Sequence, residues 1–155
     1  MKKLVFAVRG ASNQGKTTTI KYVCNRFLSS GASISDLIEN IPQNLSTPLM
    51  EVKGDIRIIL KYRGKLIGIE STGDPVERMH ESIRIFRKHK CDIILCGCRT
   101  RGSTVESVKS LGDKYDIIFL SNYVSIGDSP IDNLNCHSAN QIFCTINDFI
   151  ELNLP

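Results

Sequence analysis

Residues 4–28, LVFAVRGASNQGKTTTIKYVCNRFL, hold three signals in the order that a phosphate-binding turn needs. Leu4-Val5-Phe6-Ala7-Val8 is a short apolar run that reads as a buried strand. Gly10 to Thr17, GASNQGKT, matches G-x-x-x-x-G-K-[ST] at every fixed position. Ile20, Val23, Phe27 and Leu28 then recur at the period of an amphipathic helix. Gly10 and Gly15 can take backbone angles closed to other residues. Successive amide N–H groups can therefore turn inward around phosphate oxygens, and the helix that starts below adds its positive end. The candidate contacts are Gly10, Ser12, Asn13, Gln14, Gly15, Lys16, Thr17 and Thr18. Lys16 reaches terminal phosphates as a point charge. Thr17 offers a hydroxyl to magnesium, which prefers hard oxygen ligands.

This stretch resembles the Walker A loop of the P-loop NTPase superfamily. The run NQGKTTTI is also similar to the loop of signal-recognition-particle-type GTPases, with Thr17, Thr18 and Thr19 following the lysine. The resemblance is strong over residues 4–28 and weaker beyond them. It implies a phosphate-binding α/β fold that uses a nucleoside triphosphate and magnesium.

The chain's 155 residues suit one domain, here taken as 1–155. Apolar and charged fractions of 41% and 23% are those of an ordinary soluble protein. A net charge of +4 favours anionic ligands but is too small to indicate nucleic acid. No apolar run is long enough to span a bilayer. The start, MKKLVFAVRG, has a basic front and an apolar patch, but the patch is short and leads straight into the loop. A cytoplasmic protein is expected. Cys24, Cys91, Cys96, Cys98, Cys136 and Cys144 read as reduced thiols, several within apolar runs. Cys136-His137 with Cys144 is the rival metal set, and no C-x₂-C spacing supports it.

Residues 29–54 break the regular pattern. Pro42 and Pro48 punctuate the segment, and Ile34, Leu37, Ile38 and Ile41 suggest a short helix at most. By analogy with switch I of small GTPases, Thr47 is a magnesium or γ-phosphate candidate, against the plainer surface-loop role; Asp36 and Glu39 are candidates to meet a substrate. Residues 55–70 read as a hairpin turning at Arg63-Gly64-Lys65. Its second strand ends in Glu70-Ser71-Thr72-Gly73-Asp74-Pro75. An acid at the carboxyl end of an apolar strand is where a magnesium-holding or water-orienting group sits. E-S-T-G resembles the D-x-x-G of GTPases with a longer acid in first place. Glu70 and Asp74 are the rival candidates, although Asp74, Pro75 and Glu77 also make an ordinary helix start.

Residues 75–90 read as a helix with Val76, Met79, Ile83 and Phe86 inward and with His80 and His89 solvated. Residues 91–98, CDIILCGC, read as a strand buried on both faces. Arg99 and Arg101 follow it, at the sheet edge where open α/β folds bind ligands. Arg99 is a candidate to stabilise a transferring phosphoryl group. Ser103-x-x-Glu106 opens another helix, residues 116–121 another strand, residues 125–137 a loop, and Ser138–Leu152 the last helix. The guanine-reading N-K-x-D of GTPases is missing, with Asn122 and Tyr123 as candidates to lie beside a base.

The expected fold is a three-layer α/β sandwich, P-loop NTPase-like, with a mainly parallel sheet and one antiparallel edge strand from residues 55–62. The expected activity is magnesium-dependent hydrolysis, of ATP rather than GTP, coupled to a conformational change. Catalysis is expected from Lys16, Glu70 and Arg99, and metal binding from Thr17, Glu70 and Asp74. Two alternatives stand beside it: phosphoryl transfer to a small acceptor, itself phosphorylated or not, and a nucleotide-sensing module with little turnover.

Overall fold

The computed structural model describes residues 2–10, 15–39, 54–72, 75–123 and 131–153. Thr47, Pro42, Pro48 and Ile41 lie outside the described residues, as do Ser12, Asn13, Gln14 and Asp74 of the expected site. The elements run β1 (Leu4–Arg9), α1 (Lys16–Ser29), β2 (Ser33–Glu39), β3 (Arg57–Tyr62), β4 (Lys65–Glu70) and α2 (Val76–Lys88). They continue with β5 (Ile93–Cys98), α3 (Ser103–Lys109), a 3₁₀ turn (Ser110–Asp113), β6 (Asp116–Ser121) and α4 (Ile131–Leu152).

The six strands form one sheet in the order β2-β3-β4-β5-β1-β6. β4, β5, β1 and β6 are mutually parallel, while β3 runs antiparallel to both of its neighbours. The expected antiparallel strand is therefore interior, and the edge belongs to β2. Residues 33–39 form this strand and not a short helix.

Alternation along the strands divides the core. Leu4, Phe6 and Val8 join Ile58, Leu60, Ile67 and Ile69 beneath α1 and α4. Val5 and Ala7 join Ile59, Ile94, Cys96 and Cys98 beneath α2 and α3. Both faces are covered, giving three layers. α2 buries Met79, Ser82 and Phe86, so Ser82 takes the place expected of Ile83, which is partly buried. Gly68 on β4 makes room for Phe86: a Cβ there would sit 2.5 Å from the Phe86 ring.

The β3–β4 hairpin closes through Arg63 and Gly64, both at positive φ (48° and 76°), the two-residue turn that suits strand twist. Arg63 pairs with Glu151 of α4, and the Tyr62 hydroxyl donates to Asn147 Oδ1 at 3.0 Å. α4 begins at Ile131, so residues 131–137 are helical and not part of a loop.

Cys24, Cys91, Cys96 and Cys98 are buried free thiols. Burial pushes Cys24 and Cys91 up to about 12, which keeps them protonated. Cys136 and Cys144, eight residues apart on α4, stand about 12 Å apart along its axis, too far to share one ion. Among the described residues no helix is long and apolar enough to cross a membrane.

Candidate functional site

The parallel strands bring three chain segments to one edge. Arg9 is in register with Cys98 and with Ser121. Gly10, Arg99 and Asn122 therefore leave the sheet side by side. The Gly10 amide donates to Cys98 O at 3.1 Å, and the Asn122 amide to Arg9 O at 3.0 Å.

Gly15 caps α1 in the left-handed region, φ 73° and ψ 15°, where an L side chain is strained. Its Cα also faces a neighbour. A Cβ would lie 2.5 Å from Asn135 Oδ1. Asn135 is buried on the first turns of α4, and Thr19 Oγ1 bridges it to Asn122 at 3.3 Å on each side. This polar knot fixes the start of α1 against β6 and α4. The first amides of a helix precede any carbonyl of that helix. Gly15, Lys16, Thr17 and Thr18 line a cleft of ≈ 410 Å³, walled opposite by Ile131, Asp132 and Asn135. Lys16 Nζ donates to Gly10 O at 2.7 Å and to Cys98 O at 3.3 Å, bringing its charge to the ends of β1 and β5.

Thr17 finds its acidic partner in Asp55. Thr17 Oγ1 lies 2.9 Å from Asp55 Oδ1 and 3.5 Å from Ser71 O. Ser71 Oγ donates to the same Asp55 oxygen at 2.8 Å and accepts from the Ile56 amide at 2.8 Å. The antiparallel hairpin makes this cluster: Asp55 precedes β3 where Ser71 follows β4. Burial pushes the Asp55 carboxyl up, but hydrogen bonds from Ser71, Thr17 and Thr72, with the Arg78 charge, outweigh it and hold the group below its usual range. Lys21, one turn along α1 from Thr17, is buried; desolvation pushes its amine down, and Asp55 partly restores it. Neither Asp55 nor Lys21 stands out in the sequence. Asp55 is a polar residue ahead of an apolar run, and only the acid-before-hairpin pattern points to it.

Glu70 takes a different position. It is 0% exposed, on the α2 side of the sheet. Oε2 accepts from Arg57 Nε at 2.9 Å and from Ser82 Oγ. Oε1 accepts from Arg78 Nε and the Thr72 amide, each at 3.1 Å. Arg57 stands directly across the ladder from Glu70 and is itself 4% exposed. Of the expected site residues, the structure thus brings together Gly10, Gly15, Lys16, Thr17 and Thr18. It sets Arg99 at the same edge, its amide donating to Thr104 Oγ1 at 3.0 Å, and it turns Glu70 into an internal ion-pair network.

Asp36 is 3.4 Å from His89 at the far end of α2. Among the described residues no three His, Cys, Asp or Glu side chains converge as a metal cluster. Thr17, Asp55 and Ser71 form a different donor set, one carboxylate among neutral oxygens, which fits magnesium because that ion keeps several waters. Comparison with protein-family models, curated proteins and solved structures finds no match for the chain.

Proposed function

We propose that the chain is a P-loop nucleoside triphosphatase that binds ATP with magnesium and couples hydrolysis to a conformational change. The observation that carries this reading is the contact between Thr17 Oγ1 and the ionised Asp55 at 2.9 Å, beside a left-handed Gly15 and the Lys16 amine. The main-chain amides at the start of α1 hold phosphate oxygens. Lys16 exchanges the Gly10 and Cys98 carbonyls for the terminal phosphates, where a charged acceptor makes a stronger bond. Thr17 and Asp55, supported by Ser71, hold the metal. When bound, magnesium supplies positive charge against the phosphate oxygens. Glu70 acts from behind: with Arg57 and Arg78 it fixes the end of β4, and so the position of Ser71 and Thr72. Adenine is the expected base because N-K-x-D is missing.

A second reading, phosphoryl transfer to a small acceptor, draws on Arg99, which leaves the sheet beside the loop. ATP labelled at the γ-phosphate separates the two. Label released as inorganic phosphate supports hydrolysis, and label on an added acceptor supports transfer. Phosphate release should require magnesium and should fall about 100-fold in Asp55→Asn, the scale of one lost electrostatic group in a site. Release that is unchanged in chelator, or in Asp55→Asn, overturns the assignment.

A further inference from the structure

The opposite face of the sheet carries another cleft, apolar at its floor and basic at its rim. It encloses ≈ 370 Å³ between α2 and α3 with its following turn, and is lined by His80, Ile83, Arg84, Arg87, Ser107, Ser110 and Leu111. His80, Arg84 and Arg87 recur at i, i+4 and i+7, so α2 presents them as one stripe. All three are exposed. Like charges three apart on a helix repel each other. Among the described residues neither Arg84 nor Arg87 pairs with a carboxylate; Glu81 on the same helix is engaged with Arg57.

The rim is pinned. Ser107 Oγ lies 2.9 Å from Ser103 O and 2.6 Å from His80 Nε2. Ser110 Oγ donates to Ser107 O at 2.6 Å. The floor is apolar, made by Leu111 and the partly buried Ile83.

We propose that this cleft binds a small organic phosphate monoester, its phosphoryl oxygens on Arg84 and Arg87 beside His80 and its apolar body on Ile83 and Leu111. The volume lies at the lower end of small-molecule sites, which favours a small ligand over a macromolecular surface. Two guanidinium forks match a group carrying close to two negative charges at neutral pH, and a carboxylate carries only one. The cleft lies on the α2–α3 side, away from α1, and so stands whether or not the phosphate loop takes a nucleotide.

Phenyl phosphate is a suitable probe, followed by calorimetry and by amide chemical shifts. Binding should be kept in Lys16→Ala and should weaken about tenfold or more in Arg84→Gln/Arg87→Gln, the scale of one charge-assisted contact. Shifts in the wild type should centre on Ile83, Ser107 and Ser110. Inorganic phosphate and benzoate should both bind more weakly, lacking the apolar body and the second charge respectively. Undiminished binding in the double variant, loss of binding in Lys16→Ala, or shifts centred on Gly15 to Thr18 would each overturn the proposal. Benzoate binding as tightly as phenyl phosphate would also overturn it.

Discussion

Replacing Glu70 by Gln distinguishes scaffold from catalyst. The substitution keeps the shape of the side chain and removes its charge. In the native network, four donors from Arg57, Arg78, Ser82 and Thr72 converge on the two oxygens. Whichever oxygen becomes an amide then faces two donors with a donor of its own. Arg57, 4% exposed, loses its buried counter-charge. Breaking a buried pair in this way costs about 3–5 kcal/mol. Glu81, itself 52% exposed, still reaches Arg57 Nη2 at 3.2 Å and Arg78 is partly solvated, which places the loss near the lower end, about 3 kcal/mol. For a chain of this size that lowers the melting temperature by about 6–12 °C. Since folded domains hold only about 5–15 kcal/mol, the loss is large. Calorimetric melting and urea unfolding measure it directly, with nucleotide affinity measured below the transition. A melting temperature within about 2 °C of wild type, joined to a collapse in turnover, would refute the scaffold role and return Glu70 to the chemistry.

Lys16→Ala should weaken triphosphate binding by about 1.5–3 kcal/mol, the worth of a charged hydrogen bond, as read by calorimetry; unchanged affinity would remove the loop from the binding site. Gly68→Ala should destabilise by about 1–3 kcal/mol because the new methyl collides with the buried Phe86 ring. Adding Phe86→Leu should recover part of that loss in urea midpoints, and no recovery would mean that the collision is not the cause. Asp55 is held below its ordinary value, so its contribution to stability is present above pH about 4 and disappears as pH falls through the depressed value. Stability should therefore fall less steeply between pH 5 and pH 2 in Asp55→Asn than in wild type, by urea unfolding at each pH; parallel curves would contradict the assigned shift.

The first strand and helix are legible because an apolar run and a helical period follow one another within residues 4–28. The edge strand is not. Ile34, Leu37 and Ile38 mimic helical spacing because pairing with β3 shifts register between Ile34 and Asp36 and again between Leu37 and Glu39; irregularities of this kind erase the two-residue alternation that marks a strand. The first turns of α4 are largely polar in sequence, and only the fold brings Asn135 against Gly15 and Thr19, distant in the chain. At the site, Gly15, Lys16 and Thr17 stand out by their spacing, whereas Asp55 gains meaning only when the hairpin folds it back onto Ser71. Glu70 shows the converse. An acid closing a buried strand has the same local pattern whether it faces the loop or the opposite helix layer, and the arginine across the ladder decides between them.

α4 has a mechanical consequence. Asn135 stands against Gly15 near one end, and Asn147 and Glu151 hold Tyr62 and Arg63 near the other, about 18 and 24 Å away along the helix axis. One helix therefore ties the amino end of α1 and the β3–β4 tip into a common frame.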